Sequence, residues 1–330
     1  MSQNITFERK HRKTILLVVP QNLPHLYDDM ISELSPLCEI AAVPDIQEDI
    51  YSQIPNVDAM IGCPRNLFSP DLFQLAKPRL KWIHNPGAGV ESFFTSEFVD
   101  SDITFTNGKL IQGPECADHA VALLLSLTRN INRFARGEDK SSMPRPIELR
   151  NKTALVFGGG GIGLNVAQRL HAFGMVVSII DNELLNMLSF IESQYFPEQL
   201  NEVVLDKDVI VCCAPLTLKT EKIFDKQLVS SLKSGSYFIN VSRGGLVDLN
   251  AIIKGLSDGV FAGVGLDVTD PEPLPHDHEL FRYNNVIVTE HVAGLSDHNR
   301  YRSNRLIREN IKRFCRGDTL LNIVNKAAGY

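Results

Sequence analysis

A glycine-rich loop is the clearest stretch of this sequence that could do chemistry. Residues 156–163 contain Gly158, Gly160 and Gly163 in the spacing G-x-G-x-x-G, after an apolar strand-like run and before a helix-like one. In such a loop the first glycine permits a tight turn, the second lets the backbone approach a pyrophosphate, and the third lets helix and strand pack closely. The helix N-terminus then offers N–H groups and partial positive charge to the phosphates. Glycine clusters also form ordinary turns, but this context predicts a dinucleotide site.

An acidic residue follows at the position that such a site needs. Asp181 ends the next strand-like run, residues 176–180, about 20 residues beyond the loop. There its carboxylate would accept hydrogen bonds from the adenosine ribose and would repel a 2′-phosphate. We therefore predict NAD as the cofactor, with NADP disfavoured.

Arg243 could bind a carboxylate. It follows the apolar run 238–241 and precedes Gly244 and Gly245, which predicts a position at the carboxyl end of a strand, where open α/β sheets bind ligands. A guanidinium is a planar fork of donors that suits a substrate carboxylate. An arginine that only braces this loop would have the same pattern.

His291 could exchange a proton. It follows the strand candidate 286–289, so we expect it at the same kind of edge, and an imidazole titrates near neutral pH. A carboxylate bonded to its other ring nitrogen would keep it protonated and correctly oriented, and Glu272 is the candidate. A structural or surface role for either residue fits the same sequence.

Two series of alternating apolar and helix-like segments must position these residues. The strand candidates are residues 14–19, 39–43, 57–61, 80–84 and 103–106 in the first series, and 153–157, 175–180, 209–213, 237–241, 261–266 and 286–289 in the second. Such alternation is typical of parallel sheets covered by helices, so we predict an α/β fold with two doubly wound units. Residues 115–134 are predicted to form one long helix between the series, and residues 296–315 a last helix.

Composition excludes several classes of function. The 330 residues are 44% hydrophobic and 22% charged, with a net charge of −6, a balance typical of soluble globular proteins. No basic tract predicts nucleic-acid or membrane-surface binding, and no apolar run approaches the roughly 20 residues of a membrane span. Residues 1–13 lack the apolar core of a signal peptide. Six cysteines form neither a disulfide framework nor a zinc pattern, so we predict a cytoplasmic protein without a metal, and buried structural roles for Cys212 and Cys213.

Several motifs together resemble the D-isomer-specific 2-hydroxyacid dehydrogenase family over nearly the whole chain. Besides the loop at 158–163, the matching stretches are the glycine-rich substrate loop at 82–90, the cofactor-lining loop at 214–220, the arginine signature at 240–248, the acid signature at 265–273 and the catalytic histidine at His291. The resemblance implies an NAD-dependent oxidoreductase that interconverts a small anionic 2-oxo acid and its D-2-hydroxy acid. Glyoxylate or hydroxypyruvate reductases and phosphoglycerate dehydrogenases are members of this kind.

The resemblance also implies a role for each position. Arg243 would bind the substrate carboxylate and carbonyl oxygen, the N–H groups of Ala88 and Gly89 would hold the carboxylate, and His291, kept protonated by Glu272, would donate the proton. Asp267 would contact the nicotinamide carboxamide. The positions predicted for cofactor binding, from the loop and the resemblance together, are Gly158, Gly160, Gly161, Ile162, Gly163, Asp181, Ala214, Pro215, Thr220, Val241, Ser242, Arg243, Asp267 and His291.

The resemblance further implies a discontinuous domain organisation. Residues 1–109 and 293–330 would form a flavodoxin-like substrate domain, with a Rossmann NAD-binding domain at 110–292 inserted into it. The helix from Glu115 usually contributes to a dimer interface in this family, so we expect a homodimer.

The sequence departs from the family pattern at several positions, of which Gly161 and Glu290 lie nearest the predicted chemistry. Many members have a larger polar side chain where Gly161 stands, and a proline where Glu290 stands beside the histidine. Glu290 either adds a second carboxylate near His291 or faces away. Dinucleotide-sensing corepressors on the same scaffold retain the same catalytic residues, so a binding protein is the alternative to an enzyme.

His276 and His278 have a possible metal spacing, but their proline-rich stretch predicts a solvated loop.

Overall fold

Two parallel sheets form the framework of the chain. The computed structural model describes residues 12–183 and 188–329. The chain divides into two units, which we call unit 1 (Met1–Lys109 and Arg300–Tyr330) and unit 2 (Leu110–Asn299). The resemblance implied a return to the first domain at residue 293, and the division between the units falls at residue 300.

The described part of unit 1 is built on five parallel strands in the order β2-β1-β3-β4-β5. Its elements are β1 (Thr14–Val19), α1 (Asp28–Leu34), β2 (Glu39–Pro44), α2 (Gln47–Gln53), β3 (Ala59–Ile61), α3 (Pro70–Ala76), β4 (Trp82–Asn85), α4 (Ser96–Val99), β5 (Thr104–Asn107) and, after the excursion through unit 2, α11 (Asn299–Arg316). Strands buried on both faces form continuous apolar runs, and β1 with the sequence TILLVV is such a run.

Aromatic side chains fill one face of the unit 1 sheet. Phe68 makes edge-to-face contacts with Phe73, Phe93 and Phe98, with ring centroids 4.7–5.0 Å apart. On the other face, Ile307 and Ile311 of α11 are fully buried in a cluster that includes Ile15, Leu17 and Trp82. The final helix is therefore part of the core of unit 1.

Trp82 is a core residue of unit 1. Its ring is fully buried, and its Nε1–H donates to Thr106 Oγ1 at 2.8 Å. The indole thus has a partner for its polar atom and packs against Phe314 of α11, with ring centroids 5.2 Å apart.

The described part of unit 2 is built on seven parallel strands in the order β12-β11-β10-β9-β6-β7-β8. Its elements are α5 (Gly113–Thr128), α6 (Ile131–Ala135), β6 (Thr153–Phe157), α7 (Gly161–Ala172), β7 (Val176–Ile180), β8 (Ser193–Tyr195), α8 (Leu200–Val203), β9 (Val209–Cys212), α9 (Lys226–Ser231), β10 (Ser236–Asn240), α10 (Leu249–Ser257), β11 (Phe261–Leu266) and β12 (Val286–Val288). The order reverses between β6 and β9, which is where doubly wound sheets open a crevice for ligands.

Two details of unit 2 differ from the sequence-based expectation. The helix expected over residues 115–134 is two helices, α5 and α6, because Asn130 between them adopts a left-handed conformation (φ 57°) and its side chain donates to Pro144 O at 2.8 Å. The strand β8 was not expected at all. Its sequence, SQY, is half-buried and carries no apolar run, so it gives no strand signal.

The loop with His276 and His278 contains a histidine side-chain cap. Among the described residues, no group of three or more histidines, cysteines or acidic residues is placed to hold a metal ion. His278 Nδ1 instead accepts a hydrogen bond from Leu280 N at 3.3 Å and caps a short helical turn. In the same described ranges, no helix is both long and apolar enough to cross a membrane.

Asn310 fastens the C-terminal segment to α11. Its side chain is fully buried, donates from Nδ2 to Leu321 O at 3.0 Å and accepts from Leu321 N at 2.7 Å. The side chain of Asn310 thus pairs with both backbone polar groups of Leu321. Loss of the hydrogen bonds of a buried amide is costly.

We expect Asn310→Ala to lower the free energy of unfolding of unit 1 by about 1–3 kcal/mol, because the two hydrogen bonds that tie Leu321 to the buried amide are lost. Urea unfolding followed by circular dichroism measures the change. Asn304→Ala is the matched control on the same helix, since Asn304 makes one long hydrogen bond of 3.4 Å to Leu26 O. Equal losses in the two variants would contradict the anchoring role of Asn310.

Candidate active site

The glycine loop has the shape that a bound pyrophosphate requires. Gly158 has φ 103°, and a Cβ there would lie 2.5 Å from Ala214 N. A Cβ on Gly163 would lie 1.8 Å from Gly158 O, whereas one on Gly160 would meet nothing within 4 Å. The first and third glycines are therefore required by close packing of the backbone, and the second faces open space. Helix α7 starts at Gly161 without a side-chain cap, so its first N–H groups face that space.

Asp181 is tied to this loop. One carboxylate oxygen accepts from Gly159 N at 2.6 Å, and the other accepts from Glu183 N at 3.0 Å. These bonds fix the carboxylate beside the glycine loop, immediately after β7, with lone pairs left for hydroxyl donors. The residues of unit 2 thus fit a dinucleotide with an unmodified adenosine ribose.

The loop at 214–220 is organised by Thr220. Its hydroxyl donates to Pro215 O at 2.7 Å and accepts from Thr217 N at 2.8 Å. Ser242 Oγ donates to Ala214 O and so joins this loop to the segment after β10, where Val241 is buried. The expected cofactor positions on these two loops therefore lie side by side.

Arg243 lies in a turn that a buried asparagine shapes. Asn240 is fully buried at the end of β10, and its side chain accepts from Ser242 N at 3.0 Å and donates to Arg243 O at 2.9 Å. A Cβ on Gly244 would lie 2.0 Å from Thr269 C, so this turn packs directly on the segment that follows β11. Sequence reasoning did not single out Asn240, although an asparagine two residues before a turn residue is a known turn signal.

His291 and Glu272 form a hydrogen-bonded pair. His291 Nδ1 lies 2.6 Å from Glu272 Oε1, and both side chains are nearly half exposed. A carboxylate can only accept, so this contact places the proton on Nδ1 and leaves Nε2 directed away from Glu272. The segment with His291 follows β12, and the segment with Glu272 follows β11, so neighbouring strands bring the two residues together.

Asp267 is engaged within unit 2. It is buried directly after β11, and its carboxylate accepts from Thr289 Oγ1 at 2.6 Å and from Val292 N and Ala293 N at 3.0 Å each. The structure therefore places Asp267 at the base of the segment that carries His291. The contact to a nicotinamide carboxamide stays a prediction.

The loop at 85–90 in unit 1 turns its carbonyl groups inward. Asn107 Nδ2 donates to Ala88 O at 2.6 Å, and Asn85 Nδ2 donates to Gly89 O at 2.8 Å. In the described part of the chain, the N–H groups of Ala88 and Gly89 make no hydrogen bond to protein. The two asparagines, which sequence reasoning did not assign, thus leave two adjacent donors available.

Gly161 is explained by packing. A Cβ at this position would lie 2.7 Å from Leu110 Cδ2 and 2.9 Å from Leu110 Cα. Leu110 has φ 73° and a largely exposed side chain, so its backbone, held in a left-handed conformation, occupies the room that a larger residue at 161 would need. The departure at Gly161 is therefore matched by the local path of the chain at Leu110.

The Glu290 carboxylate and three cysteine thiols are the remaining polar groups to be considered in unit 2. Glu290 is exposed, and no described contact links its carboxylate to His291. Burial raises the pKa of the Cys116 thiol to about 12 and raises the pKa of the Cys212 and Cys213 thiols as well. These thiols stay protonated at neutral pH, which agrees with structural roles. Cys212 is buried as expected, whereas Cys213 is only partly buried.

Comparison with known proteins identifies the family of the chain. The family model described as "D-isomer specific 2-hydroxyacid dehydrogenase, NAD binding domain" matches residues 121–293. A glyoxylate reductase of Pyrococcus furiosus is 29% identical over 292 residues, which cover 85% of this chain and 86% of that protein.

Solved structures show the same fold. A D-lactate dehydrogenase of Aquifex aeolicus, complexed with NAD and lactic acid, is 26% identical, has a TM-score of 0.75, and the match covers 95% of this chain and 99% of that one. A D-isomer specific 2-hydroxyacid dehydrogenase of Xanthobacter autotrophicus Py2, in complex with NADPH and MES, is 25% identical with a TM-score of 0.78, and the match covers 97% and 100% of the two chains.

The three glycines give a matched prediction. Because a Cβ on Gly160 meets only open space, Gly160→Ala should leave the thermal midpoint unchanged and weaken NADH binding at least about tenfold by filling the approach to the pyrophosphate. Gly163→Ala should lower the thermal midpoint, because its Cβ would overlap Gly158 O. Fluorescence titration with NADH and thermal melts measure both effects. Unchanged NADH affinity in Gly160→Ala would contradict the placement of the phosphates.

Proposed function

Because this chain belongs to the D-isomer specific 2-hydroxyacid dehydrogenase family, it is an NAD-dependent oxidoreductase of 2-hydroxy and 2-oxo acids, and we propose that it reduces a small 2-oxo acid to the D-2-hydroxy acid. The observation that carries the proposal is the 2.6 Å contact between His291 Nδ1 and Glu272 Oε1 at the edge of the sheet where Arg243 also lies. Reduction of a 2-oxo acid needs a proton donor and a cation beside the dinucleotide, and His291 and Arg243 are proposed for these roles.

His291 is proposed as the proton donor. When the cofactor is bound, it supplies the hydride that attacks the carbonyl carbon of the substrate. Glu272 holds the Nδ1 proton and balances the charge of the imidazolium, so His291 can present its Nε2 proton to the carbonyl oxygen. In the oxidative direction the same nitrogen takes the proton back from the hydroxyl group.

Arg243 is proposed to bind the substrate carboxylate and to stabilise negative charge on the carbonyl oxygen. The turn held by Asn240 fixes its backbone, and Arg243 Nη1 donates to Ser242 O at 2.7 Å. A guanidinium carries its donors in one plane, which suits a carboxylate and a neighbouring oxygen. The N–H groups of Ala88 and Gly89 are proposed as additional carboxylate donors, as the resemblance implies.

Assembly and location are also proposals. A homodimer is supported by Ile131 and Phe134 of α6, which are each about half exposed (53% and 52%) next to α5. A cytoplasmic location is supported by the cysteines, which are all free thiols. No described feature favours the alternative of a dinucleotide-sensing corepressor over an enzyme.

The test is turnover on a panel of 2-oxo acids, including glyoxylate, hydroxypyruvate and pyruvate, with NADH as donor. His291→Gln should bind NADH normally and lose about 10²–10⁴-fold in kcat, because general acid catalysis contributes a factor of this size. Arg243→Ala should lose about 10²-fold or more in kcat/KM with little change in NADH affinity, because a charged hydrogen-bond donor to the substrate is removed.

Three outcomes would contradict parts of the proposal. Near-normal turnover of His291→Gln would remove that residue from the mechanism, and unchanged kcat/KM of Arg243→Ala would remove the carboxylate contact. Wild-type protein that binds NADH but turns over none of the acids would favour a binding protein. NADH titration serves as the control for the folded state of every variant.

Cofactor preference gives a separate prediction. Asp181→Ala should reduce the ratio of kcat/KM for NADH to that for NADPH by about tenfold, because the carboxylate that accepts from the ribose and repels a 2′-phosphate is lost. Initial rates with both cofactors at saturating 2-oxo acid give the ratio. An unaltered ratio would refute the proposed contact between Asp181 and the ribose.

A further inference from the structure

The segment that carries His291 is folded around one buried carboxylate. Val292 N and Ala293 N each donate to an oxygen of the Asp267 carboxylate at 3.0 Å, and His291 N donates to the Asp267 main-chain oxygen at 2.8 Å. Three consecutive amides therefore point at a single residue. We call residues 289–293 the histidine segment.

The backbone of His291 depends on these bonds. His291 has φ 53°, in the left-handed region that residues other than glycine seldom adopt. Such a conformation persists only where the surroundings hold it, and here the amides at 291, 292 and 293 are all held by Asp267. The direction of the imidazole consequently depends on where the Asp267 carboxylate sits.

The carboxylate is held in turn by α5. Thr289 Oγ1 lies 2.6 Å from Asp267 Oδ1, and His119 Nε2 lies 2.9 Å from Thr289 Oγ1 and 3.4 Å from Asp267 Oδ1. An ionised carboxylate only accepts, so the threonine hydroxyl gives its proton to Asp267 and its oxygen accepts from the Nε2–H of His119. Asp267 is 1% exposed and His119 is 22% exposed, so little water competes for these contacts.

We propose that His119 is a positioning residue for the reaction: its Nε2–H, acting through Thr289 and Asp267, holds the histidine segment so that His291 presents its Nε2 to the substrate. The inference rests on the proposed function of His291 as proton donor. It assigns a role to a helix residue that lies 172 positions before His291 and makes no contact with its ring in the described structure.

The residue type follows from the geometry. The partner of Thr289 must be a donor at the distance of Nε2 from its own backbone, and glutamine places a side-chain N–H at about the same distance. His119→Gln therefore keeps the donor, whereas His119→Ala removes it and leaves the buried carboxylate one contact short.

The first experiment compares steady-state kinetics of His119→Ala and His119→Gln. We expect kcat to fall about tenfold in His119→Ala, the effect of one lost hydrogen bond, while KM for NADH stays within about twofold. His119→Gln should retain kcat within about threefold. His171→Ala, an exposed histidine on α7 of the same unit, is the matched control and should keep wild-type kcat. Equal losses of kcat in His119→Ala and His119→Gln would overturn the proposal. A rise in KM for NADH with unchanged kcat would overturn it as well.

The second experiment tests the route. Thr289→Val removes the hydroxyl through which His119 acts, so His119→Ala should cost less than about twofold when added to Thr289→Val. A full additional tenfold loss in the double variant would show that His119 acts independently of Thr289 and would overturn the proposed route.

A third measurement needs no turnover and so separates this inference from the proposed function. Hydrogen–deuterium exchange of the peptide covering residues 286–295 should be faster in His119→Ala than in wild type and His119→Gln, because the amides of Val292 and Ala293 lose a firmly held acceptor. Unchanged exchange would overturn the inference. Absence of wild-type turnover with faster exchange in His119→Ala would reject the proposed reaction and keep the positioning role.

Discussion

Parallel pairing of the strands is the constraint on which the remaining features of each unit depend. In the described residues every strand pairs in parallel with its neighbours, so all carboxyl ends in a sheet lie at one edge. In unit 2 that edge receives the glycine loop after β6, Arg243 after β10, Asp267 after β11 and His291 after β12. Residues far apart in the sequence are brought together without any requirement on the loops beyond their first few positions.

The charged side chains at the carboxyl edge of the unit 2 sheet determine which ligands can bind there. The chain has a net charge of −6, and its substrates in the family are anions, so the attraction must be local. Arg243 supplies positive charge at this edge, while Glu272, Asp181 and Asp267 are each engaged by donors of unit 2. The acids therefore orient their neighbours, and their own charge is offset where a substrate anion would approach.

Sequence reasoning performed best where a single physical signal was sufficient. The strands at 14–19, 153–157 and 261–266 have the expected bounds because buried parallel strands form uninterrupted apolar runs. The family and the α/β class were also recognisable, because glycine spacing and strand context occur together.

The parts that were missed depend on three-dimensional context. Asn130 interrupts the long helix through a left-handed conformation that the neighbouring sequence does not predict. Strand β8 lacks an apolar run. Asn240 in unit 2, and Asn85 and Asn107 in unit 1, each shape a turn through a bond to a backbone group several residues away. His119 and Thr289 are 170 residues apart, and only the packing of α5 against the sheet brings them together.

The discontinuity of unit 1 has a consequence for biosynthesis. Ile307 and Ile311 of α11 complete the face of the sheet that contains Ile15, Leu17 and Trp82, yet about 190 residues separate β5 from α11. On the ribosome, the amino-terminal strands emerge long before the helix that covers them, and the whole of unit 2 is synthesised in between. The nascent chain therefore carries an uncovered apolar sheet face until α11 has been translated, and chaperones that bind apolar surfaces can act on it during this interval.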